Sequence, residues 1–385
     1  MKKNILTFLA VVVLMAAFSG NSFSQQKAKA EKDEDDEISG GFYSNHTPGT
    51  WDAVIKGDQV NIPFYGAHWS FGRNFPVTEL GTLPVGKTGT FTLTREAGKM
   101  TFRGVFESGF GHGSYIFEEN TTFKNDLAAR GYKGLDKQLM IDIFFTDINR
   151  GYFDYMKANG YAEITNSQLK DLAEQNLNHK VLADYFELFK TEGYGHQPID
   201  KIVELREHGV NAGFVNSVHQ IGFKKIPLDQ ALELRDHGVN AEFIGEFKKM
   251  GYGSISLEKA QDLRDHGVSV KYISSLQNMG YKNVTLDRAQ DLRDHGVSPE
   301  FINSIQNMGY KNITLEKAQE LKDHGVSPEF IKGVQSQGFK ELSLDQAQEL
   351  KDHGVTVAYI QKTKAKGLSN IRTLDDYIKL KETGF

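Results

Sequence analysis

Apolar positions from about Phe123 onward recur with a fixed period. Residues 280–308 read GYKNVTLDRAQDLRDHGVSPEFINSIQNM and residues 309–337 read GYKNITLEKAQELKDHGVSPEFIKGVQSQ, two near-copies 29 residues apart. Within the second copy, Leu315, Ala318 and Leu321 stand at helical spacing, as do Phe330, Ile331 and Val334, so each unit predicts two short amphipathic helices. Thr314 is an N-cap residue type, and Glu316 puts negative charge in the first turn. His324-Gly325-Val326 then stops the helix: glycine takes the left-handed position and valine folds back, as in a Schellman motif. Ser327 and Pro328 restart a helix as N-cap and N1, and Gly338-Phe339 stops it again.

The punctuation extends the frame along the chain. Gly209, Gly238, Gly267, Gly296, Gly325 and Gly354 keep the spacing of 29, as do Gly193, Gly222, Gly251, Gly280, Gly309, Gly338 and Gly367. Upstream, Gly131 and Gly160 are again 29 apart, with Asp147-Ile148 where Gly-Val would stand. Between Gly160 and Gly193 the spacing grows to 33. The four extra residues fall in Asn178 to Glu192, the second helix, and four residues add about one α-helical turn. The frame predicts eight hairpins from Gly131 to Gly367 and a last single helix over about Thr373 to Thr383 as a cap.

Each hairpin carries too few apolar side chains to bury its own faces, so it must lean on its neighbours. Ala231, Ala260, Ala289, Ala318 and Ala347 mark one position per repeat where a small side chain lets helices approach closely. The architecture expected over residues 121–385 is therefore an α-solenoid. Ubiquitin-associated domains share a Met-Gly-Tyr like Met308-Gly309-Tyr310, but the unbroken period argues against short isolated modules.

Over residues 41–120 the period changes to two. Thr90 to Arg95, Met100 to Phe106 and Ser114 to Glu118 alternate as strands, with turns at Ala97-Gly98 and Gly109 to Gly113. Trp51 to Ile55 and Gln59 to Phe64, joined at Gly57-Asp58, predict a further hairpin. The fold class expected is α+β: a small antiparallel β domain followed by helical hairpins. Residues 25–40, with the charge run Glu31 to Glu37, read as a solvated acidic linker.

Residues 1–24 have the three parts of a secretory signal: Lys2 and Lys3, an apolar run from Ile5 to Phe18, and Ser22 and Ser24 flanking Phe23. Cleavage is expected after Ser24, giving a periplasmic or secreted chain. The apolar run of 14 residues falls short of the ~20 that span a bilayer, so no stable membrane insertion is expected after cleavage. There is no cysteine, which excludes disulfides, thiolate metal sites and a lipidated cysteine anchor. Losing Lys2 and Lys3 takes the formal charge from -5 to -7, a field that does not favour nucleic acid.

His208, His237, His266, His295, His324 and His353 recur once per repeat. Equivalent positions in stacked helices lie ~8–10 Å apart, whereas ligands of one zinc each sit ~2 Å from it, so the column cannot converge on one ion. The reading preferred over a pH-responsive or metal-bridging ladder is structural. Each imidazole closes a helix, where positive charge meets the C-terminal carbonyls. An acid stands four residues earlier every time: Glu204, Glu233, Asp262, Asp291, Glu320 and Glu349. Arg206, Arg235, Arg264, Arg293, Lys322 and Lys351 offer pairing between repeats, which sets register more than stability.

The β segment is dense in aromatics that a small core needs. A speculative binding site there has Trp69 and Phe71 as a platform for sugar rings or a peptide, with His68 and His112; a second grouping is His46, His68 and His112 meeting in space with Asp52 or Glu107 nearby, at a spacing that matches no metal motif. The sequence holds no His-Glu-x-x-His, no Gly-x-Ser-x-Gly elbow and no phosphate loop. No catalytic residue, cofactor or metal site is expected.

The Trp69-Ser-Phe-Gly72 segment, the Met100-Thr-Phe-Arg-Gly104 strand and the recurring Arg-Asp-His-Gly-Val carry a resemblance. Over about Gly41 to Phe385 the chain resembles the extracytoplasmic region that follows the membrane zinc peptidase in some BlaR-type sensors of bacteria. It departs from them in lacking the membrane helices and the zinc-peptidase motif, so no catalytic residue carries over. The resemblance implies an envelope-facing recognition or sensing module. The expected function is an exported, non-catalytic binding or scaffolding protein with a protein or peptide partner. The rival is a carbohydrate-binding or hydrolytic site in the β domain, with the helices as spacer; scaffolding by self-association is a third reading.

Overall fold

The computed structural model describes residues 47–66, 70–367 and 371–384. The signal and linker assigned to residues 1–40 lie outside the described residues. Contacts divide the chain into two compact units, Met1–Phe91 with Thr101–Glu118, and Thr92–Met100 with Glu119–Phe385.

Residues 47–119 form an antiparallel half-barrel of six strands: β1 (Thr47–Lys56), β2 (Gln59–Tyr65), β3 (Ser70–Pro76), β4 (Gly89–Arg95), β5 (Gly98–Glu107) and β6 (Phe110–Glu119), ordered β3-β2-β1-β6-β5-β4. Alternation sends one face inward, where Trp51 lies 5.4 Å from Phe91 and 5.3 Å from Phe106, and Phe91 stacks on Phe102 at 4.5 Å. Trp51 Nε1 donates to the Ser114 carbonyl at 3.0 Å, so its one polar atom is satisfied in the core. β3 was not legible as a strand, because Gly72, Arg73, Asn74 and Pro76 dilute its alternation.

The expected turn over Gly109 to Gly113 is corrected. The turn is Ser108-Gly109, both at positive φ, and β6 begins at Phe110. Gly111 and Gly113 are strand residues whose missing Cβ leaves room for the Phe106 ring and the Arg103 carbonyl.

In the second unit a helix over Thr121–Ala129 precedes eight helix pairs. The first pair is Lys137–Thr146 with Arg150–Ala158, and the second Asn166–Glu174 with His179–Glu192. The first helices of the later pairs are Ile199–Glu207, Leu228–Asp236, Leu257–Asp265, Leu286–Asp294, Leu315–Asp323 and Leu344–Asp352. Their second helices are Ala212–Gln220, Ala241–Lys249, Val270–Asn278, Pro299–Asn307, Pro328–Ser336 and Val357–Ala365, and a helix over Leu374–Glu382 follows. Like packs on like, one repeat apart: Asn166–Glu174 on Ile199–Glu207, and Pro299–Asn307 on Pro328–Ser336. None of these helices is long and apolar enough to cross a membrane.

The caps have the predicted chemistry. Thr314 accepts from the Lys317 amide at 3.1 Å and Ser327 from the Phe330 amide at 3.2 Å. Gly325, at φ 66, donates to the Lys322 carbonyl at 3.0 Å and Val326 to that of Leu321 at 2.7 Å, the two bonds of a Schellman stop. Asp147 and Asn176 occupy the same left-handed position without being glycine, at φ 57 and 51. The five repeat alanines are fully buried. The insertion lengthens one helix, His179–Glu192, to 14 residues where the other second helices have 9.

Tyrosines fasten several repeats to the next. Tyr194 donates to the Ile226 carbonyl at 2.6 Å and Tyr281 to that of Ile313 at 2.6 Å, each 32 residues on. At the start of the unit, Arg95 Nη1 caps the carbonyls of Phe144 and Phe145 at 2.7 and 2.8 Å.

Candidate functional site

Of the residues proposed for a platform in the β domain, His46, His68 and Trp69 lie outside the described residues. Phe71 turns to the inner face of the sheet, its ring 5.4 Å from Phe64 and under the Arg73 guanidinium at 4.7 Å. His112 is exposed on the other face, opposite Asp52 in the β1–β6 register. The structure therefore puts Phe71 and His112 on opposite sides of the sheet.

The histidine column is a row of ties between repeats. Nδ1 of His237 meets Asp265 at 2.6 Å, of His266 meets Asp294 at 2.5 Å, of His295 meets Asp323 at 2.5 Å and of His324 meets Asp352 at 2.5 Å. His208 pairs with Asp236 in the same way, and His353 with Glu382 at 2.8 Å. This corrects the expected partner four residues upstream, which is met only at His295, 3.4 Å from Asp291. The histidine sits at the C-cap, half out of the helix, so its ring leans past the helix end onto the last residue of the next first helix. The basic residue two positions earlier leans back instead: Arg264 lies 5.0 Å over Phe243, Arg293 5.2 Å over Tyr272 and Lys322 4.8 Å over Phe301. These contacts recur from His208 onward, so they define that part of the array and single out no place on it.

A place is singled out where the repeats stop agreeing. Tyr155 stands where the later repeats carry Ser217, Glu246, Ser275, Ser304, Gly333 and Lys362. Phe186, one residue after the Tyr185 that bonds Val210 as Tyr272 bonds Val297, stands half-exposed where they bury Val215, Ile244, Ile273, Ile302, Ile331 and Ile360. His179 replaces alanine, valine or proline at N1, and His196 replaces lysine, serine, asparagine or glutamate in the following loop. These four departures converge. With Tyr161 they form one row of rings: His179 to Tyr155 at 4.0 Å, Tyr155 to Phe186 at 5.7 Å, Phe186 to Tyr161 at 5.3 Å, and Tyr161 to His196 at 4.4 Å.

Tyr161 anchors the row. Its hydroxyl donates to the Gln197 carbonyl at 2.6 Å, and burial pushes its pKa up to about 12, so it remains a neutral donor. Tyr155 and Phe186 are half-buried, and His179 and His196 are exposed. A repeat that met only its neighbours would need none of these four rings at its surface, and half-exposed aromatics are what binding hot spots are made of.

The row borders a cavity of about 350 Å³, walled by Tyr161, Phe186 and Phe189 and rimmed by Asn159, Lys190 and His196. The glycine turn at Gly193 and Gly195, both at positive φ, also lines it. On the other flank of the lengthened helix a second cavity of about 470 Å³ is rimmed by Asp184, Glu187, Glu192 and Arg206. The extra turn lies at the start of the helix, since its end stops as its neighbours do, Tyr194 donating to the Phe189 carbonyl as Phe223 does to that of Val218.

Sequence reasoning placed the insertion but not the row. The signal was present, since setting the repeats beneath one another shows aromatic residues at positions that are otherwise small, polar or aliphatic. No family model, curated protein or solved structure matches the chain.

Proposed function

We propose that this chain is an exported, non-catalytic recognition protein of the cell envelope. Its helix pairs form an α-solenoid that holds a protein or peptide partner at the ring row shared by the first and second pairs. The observation that carries this reading is the convergence of Tyr155, His179, Phe186 and His196, four departures from the repeat pattern, into one row beside a cavity. The secretory-type N-terminus and the likeness to sensor regions support the envelope setting. Repeat arrays use an extended surface of this kind for macromolecules, an argument from architecture.

The test is a photo-crosslinking residue placed at Lys190 in the full chain, exposed to envelope extract, with the same residue at Lys282 as a control away from the row. The reading expects a discrete protein product from position 190 and none from 282. Identical products at both positions, or no product from 190, would refute it.

A further inference from the structure

We infer that the cavity beside the ring row takes an aromatic side chain flanked by carboxylates in an extended peptide. The inference rests on the recognition reading above and names the chemistry of the partner. Size comes first. A cavity of about 350 Å³ stands at the low end of the ~300–1,000 Å³ of ligand sites, so it accommodates one side chain and not a whole helix or domain.

The walls choose the kind of side chain. Tyr161, Phe186 and Phe189 offer aromatic surface on one side of the cavity, an environment that a ring fills in offset or edge-to-face contact. Phe186 is near-parallel to both Tyr155 and Tyr161, at 27° and 13°, so its neighbours in the row already use much of its faces. A sugar, which stacks flat on a free face, finds less here than a side chain inserted from above.

The rim chooses the charge. Lys190 and His196 border the cavity together with Asn159, and no carboxylate does. The nearest acid contact of Lys190 is Glu187, 4.0 Å away with both side chains largely in water, which leaves the ammonium available. The contrast with the other flank of the same helix, where Asp184, Glu187 and Glu192 gather, is a difference of charge across one helix width. A peptide lying over the row thus finds the Lys190 ammonium at the edge of an apolar cavity. An aspartate or glutamate beside the inserted ring meets Lys190, and electrostatic complementarity of this kind selects partners more than it adds affinity.

The experiment uses the full chain, labelled for amide NMR and titrated with an uncharged peptide of glycine and serine carrying one phenylalanine between two aspartates. Three further probes accompany it: the same peptide with alanine for phenylalanine, the same with lysines for the aspartates, and tri-N-acetylchitotriose. Shifts confined to the amides around Gly193, Gly195 and His196 are expected with the first peptide. Loss of the ring weakens binding by about tenfold or more, exchange of the aspartates for lysines weakens it several-fold, and raising salt from roughly 0.15 M to 0.5 M erodes the difference. Lys190→Glu reverses the preference between the two charged peptides. Failure of the first peptide to bind, equal binding of the lysine peptide, or saturation by the sugar in its place each overturns the inference. If the peptides fail while position 190 still crosslinks to a protein, the ligand chemistry is wrong and the recognition site stands; if both fail, the site itself falls.

Discussion

His295 holds Asp323 across the gap between two repeats, Nδ1 to Oδ1 at 2.5 Å, although 28 residues separate them. The hydrogen bond to Asp323 raises the imidazole pKa above its ordinary value, with Asp323, Asp291 and Asp294 adding their fields. A pKa raised by folding contributes stability that is fully present below the unfolded value of ~6.5 and is lost as pH rises through the folded value. The array is therefore expected to melt at a higher temperature near pH 6 than near pH 8. His295→Gln narrows that difference, and thermal melts of both chains at the two pH values check it.

Asn176 sits at φ 51, where six later repeats place glycine, and its buried side-chain oxygen has no hydrogen-bond partner. Asn176→Gly removes both costs and is expected to stabilise the chain by about 0.5–1 kcal/mol, within the range of cap improvements. A urea titration with an unchanged slope and a higher midpoint is the expected result.

Ala289 is fully buried between first helices. Ala289→Leu forces added methylenes into that contact and is expected to cost about 1–3 kcal/mol. Because each repeat leans on the next, the loss should spread to amides of the neighbouring pairs, as hydrogen exchange would record.

Tyr281→Phe tests the fastening between repeats. It leaves the Ile313 carbonyl without the donor that now lies at 2.6 Å, at a cost of about 0.5–1.5 kcal/mol. A matching loss in chemical denaturation is expected, with little change in helix content by circular dichroism.

Much of the fold is written in local chemistry. Thr314, Ser327, Pro328 and Gly325 act at the cap positions their residue types favour, because a cap depends on a few neighbouring atoms. Elements that depend on distant partners were harder to see. β3 is a strand because Phe71 and Phe75 find Phe64, and Gly111 is small because Phe106 lies against it. The histidine partner was misplaced for the same reason: sequence spacing shows which residues share a helix but not where a C-cap ring leans. The ring row needed a comparison between repeats, since no one of its residues is unusual alone.

Replacing the row by the residues of its sister repeats, Tyr155→Ser with Phe186→Val, separates folding from recognition in one chain. The account predicts a cooperative melt of unchanged shape, because both substituents are native to equivalent positions, together with loss of the crosslinked partner at position 190. A double variant that keeps its fold and captures the same partner as strongly as the parent would contradict it.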